Sequence, residues 1–417
     1  MDPWFTGEVM WSKILDHMLK SIIRRGSLTV ELPDGQKLIF GDGTGIPASV
    51  RIADTSTLRH IILNPELAVG EAYMDGRLTV HGDDLRGFLS VVLANLDDAD
   101  RVWWQRLRGG LRTAFRRLML NNVPTLSRKN VAHHYDLSDR LYDLFLDSDR
   151  QYSCAYFRTP ADTLEQAQVQ KKDHIARKLR LERGMHVLDI GCGWGGMALT
   201  LARNYGTRVT GITLSEEQLS VARDRAKKNG IEDLVEFHLT DYRSVEGTFD
   251  RVVSVGMFEH VGLPHFDTYF DTVREKLAPG GIALVHTIGI INRTGGTNPW
   301  IGKYIFPGGY IPSLSEVAAS VERQGLRVTD VELLWLHYAE TLHHWQERFE
   351  ANAGKVAKIY DERFVRMWRF YLAACEQTFR HRQQCVFQFQ LSNSAEAVPI
   401  TRDYLYEQPQ AIRTAAE

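Results

Sequence analysis

Three glycines follow a short apolar run that contains an acidic residue. Residues 187–190 read Val-Leu-Asp-Ile, with Asp189 as the acid, and Gly191, Gly193 and Gly196 follow at G-x-G-x-x-G spacing. The next seven residues read as a helix, so the pattern predicts a strand, a tight turn and a helix. Ligands of open α/β sheets bind at the carboxyl ends of strands, where glycines let the backbone approach them. This turn is therefore the first candidate binding site.

The residues around the turn distinguish between its possible ligands. A dinucleotide fold usually carries an apolar residue where Asp189 stands, and an acidic residue that grips the ribose after the second strand. The second predicted strand, 208–213, ends in Thr213 instead. The V-L-D-I-G-C-G pattern resembles the first motif of S-adenosylmethionine (SAM) methyltransferases. We expect SAM as the ligand, with a dinucleotide and a purely structural glycine turn as the alternatives.

Length and composition restrict the class of protein. A chain of 417 residues suggests two or three domains, and 44% hydrophobic residues, 24% charged residues and a net charge of −2 are ordinary for a soluble protein. The sequence contains no apolar run of about 18 residues, so no membrane span is predicted. The first residues lack the layout of a secretory signal. The four cysteines form neither a disulfide framework nor a zinc pattern. We expect a cytoplasmic location and no metal.

Residues 1–125 predict a small α+β domain that associates with lipid or membrane, followed by a basic linker. The apolar residues of 9–25 share one helical face, which fits a core-facing helix or, alternatively, a helix on a membrane. Residues 27–32 and 37–40 flank Pro-Asp-Gly-Gln and predict a hairpin. A further strand is expected at 48–53, and helices near 58–63, 65–73 and 85–96. This domain carries no catalytic cluster.

The segment 101–130 contains eight basic residues and no acidic residue, and Trp103 and Trp104 lie among them. Each basic residue near an anionic leaflet is attracted by about 1 kcal/mol, and Trp favours the membrane interface. We expect this segment to contact a membrane surface. A solvated linker is the closest alternative, and nucleic acid is not an expected partner.

Residues 126–395 predict the catalytic domain, and 396–417 a C-terminal tail. Strands are predicted at 187–190, 208–213, 234–239, 249–255, 281–286, 326–333 and 384–391. Because helical patterns separate them, they suit a mostly parallel sheet covered on both faces. A long helix is expected over 163–181. Residues 339–382 predict two inserted helices that build a hydrophobic cover. The aromatic-rich stretch 288–312 predicts a wall of a substrate pocket.

Several motifs in order make the resemblance specific. They are H-H-Y-D at 133–136, Q-Y-S-C-A-Y-F at 151–157, V-L-D-I-G-C-G-W-G at 187–195, G-I-T-L-S-x-x-Q at 211–218, V-G-M-F-E-H-V-G at 255–262 and H-T-I-G at 286–289. Together they resemble the cyclopropane fatty acyl phospholipid synthase family, which includes the mycolic acid cyclopropane synthases. P-E-L-A-V-G-E-A-Y-M-D-G at 65–76 is similar to the extra domain of the bacterial phospholipid enzymes. The resemblance implies an α/β, Rossmann-like SAM-methyltransferase fold of seven mostly parallel strands with inserted helices, plus a smaller N-terminal α+β domain.

The reaction that this resemblance implies is methyl transfer from SAM to a cis double bond in a phospholipid acyl chain. An alkene is a poor nucleophile and its attack leaves a carbocation, so water must be excluded and π faces must surround the cation. A base then removes a proton from the added methyl group, and in the family this base is thought to be a bound bicarbonate ion. The resemblance also implies a homodimer that works peripherally on the inner face of the cytoplasmic membrane.

Five positions match the family's anion cradle. They are Cys154, Glu259, His286, Ile288 through its backbone N–H, and Tyr338. Each has a plainer alternative, because a cysteine there can be a small buried hydrophobe, a glutamate can cap a turn, and a histidine at a strand end can be structural.

A second set of positions is expected to bind SAM. Thr213 and Gln218 stand where other SAM enzymes usually carry a ribose-binding acid, and the family shares this departure. Gln218 has an alternative role as the capping-box partner of Ser215. The full set is Tyr152, Ser153, Asp189, Gly191, Gly193, Thr213, Gln218, Asp241 and Tyr242.

The sequence departs from the family at two positions, and other functions remain open. Ala155 and Phe157 stand where the family often has Gly and Trp. Loss of a different proton from the same cation would give a methylene branch, and later reduction a methyl branch. The further alternatives are an N- or O-methyltransferase of a small acceptor and a non-catalytic lipid-binding protein.

Overall fold

The computed structural model describes residues 3–96, 139–291 and 297–406 of the chain, with side chains from residue 9 onward. The basic segment 101–130, the H-H-Y-D motif and the end of the predicted tail lie outside the described residues. None of the helices in the described ranges is long and apolar enough to cross a membrane.

The N-terminal domain is built on a four-stranded sheet in the order β2-β1-β3-β4. Its strands are β1 Leu28–Glu31, β2 Lys37–Phe40, β3 Ala48–Ile52 and β4 Leu78–Val80, and β1 pairs parallel with β3. Its helices are α1 Pro3–Ile22, α2 Thr55–Leu63, α3 Pro65–Met74 and α4 Leu85–Asn95. The predicted hairpin is confirmed, and Gly35 in its turn has φ +84°, which favours glycine. The short strand β4 was not predicted.

Helix α1 packs as the core-facing alternative predicts. Leu15, Met18 and Ile22 are buried, whereas Val9 and Met10 near its beginning are half exposed. Spacings of three and four residues put the buried side chains on one face of the helix.

The catalytic domain contains the predicted seven-stranded sheet, in the order β10-β11-β9-β8-β5-β6-β7. Its strands are β5 His186–Ile190, β6 Arg208–Thr213, β7 Val235–Leu239, β8 Phe249–Val255, β9 Leu277–Ile290, β10 Arg327–Leu334 and β11 Gln384–Ser392. The pairs from β9 to β7 are parallel, and β11 runs antiparallel between β9 and β10. The mostly parallel α/β fold is thereby confirmed. Strand β9 is longer at both ends than predicted.

The catalytic helices cover this sheet and cap one end of it. They are α5 Asp139–Tyr142, α6 Leu164–Leu179, α7 Gly196–Tyr205, α8 Glu216–Lys228, α9 Phe266–Lys276, α10 Pro299–Tyr304, α11 Leu314–Arg323, α12 His337–Ala351, α13 Ala353–Ile359 and α14 Glu362–His381. Helix α6 begins with a complete capping box between Thr163 and Gln166. Helices α12–α14 form the predicted insertion between the last two strands, with three helices where the sequence predicted two. They share one apolar core with the N-terminal domain, to which Trp345, Trp368 and Tyr73 belong.

Candidate active site

A first cavity lies at the carboxyl ends of the parallel strands. It is lined by residues at the ends of β5, β6 and β8 and by the turn after β7. All of the residues expected to bind SAM line it, namely Tyr152, Ser153, Asp189, Gly191, Gly193, Thr213, Gln218, Asp241 and Tyr242. The fold therefore brings residues from positions 152 to 242 into one space, where ligands of open α/β sheets bind.

The glycine turn leaves this cavity open to a ligand. Gly191 has φ +80°, and a Cβ there would stand 2.9 Å from side-chain atoms of Met257. Gly193 has φ +54°. A larger residue at position 191 would be strained and would push Met257, which also lines the cavity.

Asp189 brings a buried carboxyl group to the wall of the first cavity. The side chain is 2% exposed, and its Oδ2 has no hydrogen-bond partner. Burial raises the pKa of Asp189 to about 7. A buried polar atom without a partner is costly, so it favours a ligand that donates a hydrogen bond or carries positive charge.

The side chain of Gln218 does not complete the capping box. Ser215 Oγ accepts the backbone N–H of Gln218, but the Ser215 amide donates to Thr213 Oγ1 at 3.2 Å. The Thr213 hydroxyl donates instead to Gln218 Oε1 at 2.9 Å. Thr213 thus fixes the amide of Gln218 at the cavity wall, where it can bind a ligand.

Asp241 is paired with a residue that the sequence did not single out. Arg243 Nε and Nη2 each donate to the Asp241 carboxylate at 2.7 Å, and the guanidinium lies 5.1 Å from the ring centroid of Tyr242. Burial raises the pKa of Tyr242 to about 12, so its hydroxyl stays protonated at neutral pH. Asp241, Tyr242 and Arg243 together form one side of the cavity.

A second cavity of about 990 Å³ adjoins the first, and Tyr152, Ser153, Gly256 and His260 line both. This volume is at the top of the roughly 300–1,000 Å³ range of ligand pockets. All five residues of the expected anion cradle line it, namely Cys154, Glu259, His286, Ile288 and Tyr338. Aromatic side chains from the predicted wall, Trp300, Phe306 and Tyr310, line it too.

Glu259 is the carboxyl group of this second cavity. Its Oε1 accepts the backbone N–H of Ile288 at 2.6 Å, whereas its Oε2 is buried without a hydrogen-bond partner. Burial raises the pKa of Glu259 to about 7. The Ile288 amide, which was expected to face an anion, is therefore occupied by Glu259 in this structure.

His286 lies on β9, between β8 and β11. Its Nδ1 forms a hydrogen bond of 3.1 Å with the side-chain amide of Gln388 on β11, in which the donor depends on the ring tautomer. Burial lowers the pKa of His286 well below its ordinary value, and the charges of Lys171 and Lys178 lower it further. The ring is thus neutral at physiological pH.

Cys154 and Tyr338 complete the cluster. The Cys154 thiol is buried and donates to the Ala155 carbonyl at 3.3 Å, and burial raises its pKa. It is therefore a thiol and not a thiolate nucleophile. Tyr338, in the first turn of α12, is also buried and stands edge-on to Trp345 at 5.9 Å between ring centroids.

The sequence reasoning missed Lys171, which lies behind the loop between the two cavities. Its Nζ is fully buried and donates to Gln151 Oε1 and Ser153 Oγ, both at 2.8 Å. Burial lowers its pKa to about 7. The sequence did contain a sign of this burial. Lys171 and Lys178 fall at helical spacing on the same face of α6 as the apolar residues Leu164, Ala167 and Ile175.

The sequence reasoning also gave no role to His260, which follows Glu259 and lines both cavities. Burial lowers its pKa to about 4, so the ring is neutral at physiological pH. Among the described residues, no group of three or more His, Cys, Asp or Glu side chains is placed to hold a metal ion.

Comparison with solved structures shows the class of protein to which the chain belongs. The structure resembles the cyclopropane synthase MmaA2 from Mycobacterium tuberculosis, with a TM-score of 0.61 and 33% identity, over 63% of this chain and 97% of that one. Coclaurine N-methyltransferase gives a TM-score of 0.63 at 20% identity, over 78% and 98% of the two chains, which shows the fold alone. The chain is a SAM-dependent methyltransferase.

The family follows from the sequence comparisons. The family model for mycolic acid cyclopropane synthetase matches residues 124–389, and a model for a domain of unknown function matches residues 14–99. The chain is 41% identical to the cyclopropane-fatty-acyl-phospholipid synthase of Escherichia coli K12, over 84% of this chain and 89% of that protein. A probable fatty acid methyltransferase of Pseudomonas putida is 40% identical, over 84% and 88%. The chain belongs to the mycolic acid cyclopropane synthetase family.

Proposed function

We propose that this protein uses SAM to build a cyclopropane ring on the cis double bond of an unsaturated phospholipid acyl chain. The observation that carries the proposal is the junction of the two cavities. There Glu259, His286 and Cys154 border an apolar space large enough for part of a lipid, directly beside the glycine turn. A small polar acceptor would need no such space.

The walls of the second cavity suit a reaction that passes through a carbocation. SAM supplies the methyl group when it is bound in the first cavity. Tyr152, Tyr338 and Phe306 present aromatic side chains to the second cavity, and a cation near a ring face is stabilised by about 0.5–2 kcal/mol. The apolar lining excludes water, which would otherwise capture the cation.

The cluster around Glu259 fits a small oxyanion such as bicarbonate. Oε2 of Glu259 lacks a partner, and the raised pKa of this carboxyl lets it carry a proton at neutral pH and donate to an anion. A neutral His286 ring with its proton on Nε2 would be a further donor, whereas the Cys154 S–H already donates to the Ala155 carbonyl. Bicarbonate bound there would supply the base for the proton of the added methyl group. Glu259 and His286 would hold it, with Cys154 and Tyr338 beside them.

The lipid substrate implies docking at the inner face of the cytoplasmic membrane. The basic, tryptophan-bearing segment 101–130 supports this part of the proposal through its composition alone.

A methylene- or methyl-branched product is the second candidate, because it needs the same cation. The probable fatty acid methyltransferase of Pseudomonas putida is nearly as similar to this chain as the Escherichia coli synthase. The departures at Ala155 and Phe157 do not favour either product, because neither residue is among the described residues that line the two cavities.

The site assignment is tested with Glu259→Gln and His286→Ala on vesicles of unsaturated phospholipid and methyl-labelled SAM. Both variants should lose at least 100-fold in label transfer, the lower end of what positioned acid–base groups contribute, while SAM affinity stays within about 3-fold. The controls are Glu246→Gln and His238→Ala, which change exposed residues away from both cavities. Full activity in either site variant would disprove the assignment.

A further inference from the structure

The second cavity does not end at the reacting groups. From Glu259 and His286 it continues into the N-terminal domain, where α1 and the four-stranded sheet form its walls. These walls include Leu15, Met18, Ile22, Val30, Val50 and Ile52. Small domains normally fill their cores at close to crystal density, so a space bordered by core side chains is unusual.

The lining that the N-terminal domain contributes is almost entirely apolar. Among its described residues in the wall, Asn64 and Glu66 are the polar ones, and they lie together where α2 meets α3. Apolar cavities of this kind stay dry and accept apolar ligands. The chemistry of the wall therefore fits a hydrocarbon chain and no charged group.

The two domains are joined firmly enough to keep this space continuous. Arg86 on α4 forms an ion pair of 2.7 Å with Glu376 on α14, whose side chain is fully buried. Arg366 on α14 donates to the carbonyl of Tyr73 at 2.7 Å. Such partly buried charge-assisted bonds hold the N-terminal walls in fixed register with the catalytic groups.

One glycine of the motif at 65–76 allows the two domains to pack closely. A Cβ on Gly70 would stand 2.5 Å from the indole ring of Trp300 and 2.9 Å from Phe370. Only glycine lets α3 lie so close to α10 and α14. All three of these residues line the cavity, so the close approach also shapes its wall.

We propose that the interior of the N-terminal domain, residues 14–96, is a hydrocarbon-binding chamber that takes the methyl-terminal part of the lipid acyl chain. The inference rests on the proposed function for the nature of the lipid. In a chain whose double bond lies at Glu259 and His286, the ester side has to lead out to the polar head group, so the apolar space of the N-terminal domain is left for the carbons on the methyl side. The chamber thus limits the length of chain beyond the double bond.

Photocrosslinking of the wild-type protein tests the chamber without requiring turnover. The probe is a phospholipid whose unsaturated chain carries a diazirine at its methyl end, and mass spectrometry locates the modified peptides. We expect cross-links within residues 14–96. Cross-links confined to residues 139–406, or none at all, would overturn the proposal. Cross-links in 14–96 without label transfer from SAM would leave the chamber standing and refute the proposed reaction.

A matched pair of variants tests the length limit. Ile52 and Ile62 belong to the same domain and are each 2% exposed, but only Ile52 lines the cavity. Ile52→Phe should reduce the methylation of chains with long segments beyond the double bond at least 10-fold relative to short ones. Ile62→Phe should keep the wild-type preference. An unchanged preference in folded Ile52→Phe would contradict the proposal.

Discussion

Replacing Glu259 by glutamine is expected to stabilise the fold while it abolishes turnover. Burial raises the pKa of Glu259 from an ordinary 4.5 to about 7. A shift of one pKa unit corresponds to 1.36 kcal/mol, so the ionised carboxylate destabilises the folded state by about 3 kcal/mol. Glutamine carries no charge, and its oxygen can still accept the Ile288 amide, so most of this penalty should disappear.

The difference in stability between Glu259→Gln and the wild type should increase with pH. Because the folded pKa is raised, the folded state binds more protons than the unfolded state between pH 4.5 and 7, and stability is lost as the pH rises through this window. Glu259→Gln should therefore exceed the wild type by about 1 kcal/mol at pH 5 and by about 3 kcal/mol at pH 8.

Urea unfolding of both proteins at the two pH values measures the difference. The exposed Glu246→Gln variant controls for the general loss of one negative charge and should show no such dependence. Two results would refute the burial of the Glu259 carboxyl group. One is a Glu259→Gln protein that is less stable than the wild type at pH 8, and the other is a stability difference of the same size at both pH values.

Three further perturbations have expected outcomes. Asp189→Asn should weaken SAM binding about 10-fold by calorimetry without unfolding the protein, because its unpaired Oδ2 lines the first cavity. Lys171→Met should reduce SAM affinity and turnover together, because the bonds to Gln151 and Ser153 are lost. Because the pKa of Lys171 is lowered in the folded state, the unfolded state binds more protons above pH 7. This residue should therefore raise the free energy of unfolding of the wild type by about 2 kcal/mol between pH 7 and 9. Urea unfolding of Lys171→Met should not show this increase. If segment 101–130 docks electrostatically, methyl transfer to anionic vesicles should fall as salt rises from 0.05 to about 0.5 M, and salt-independent transfer would argue against docking.

Most of the catalytic fold could be predicted because buried parallel strands leave a clear trace in sequence. Residues 187–190 and 249–255 are short apolar runs between turn residues, and the structure places strands at both. The same reasoning missed β4, because three residues are too few for a periodic pattern. It ended β9 at 286, because nothing local marks the continued pairing with β11.

The candidate site could be predicted where a motif carries it and not where packing creates it. The glycine turn and the residues near Glu259 are local patterns. Lys171 lies 18 residues from Ser153 and is defined by burial that only the folded chain reveals. The cavity shared by the two domains depends on contacts such as Arg86 with Glu376, which are 290 residues apart.

The most direct test of the account follows the transferred carbon. Purified protein is incubated with methyl-labelled SAM and vesicles whose phospholipids carry one cis double bond, and the recovered fatty acids are examined by proton NMR. Mass alone is insufficient, because a cyclopropane and a methylene branch are isomers. We expect labelled lipid with upfield ring protons. Labelled lipid with vinylidene protons would contradict the proposed cyclopropane product. Unlabelled lipid with intact SAM binding would contradict the proposal that the substrate is a lipid.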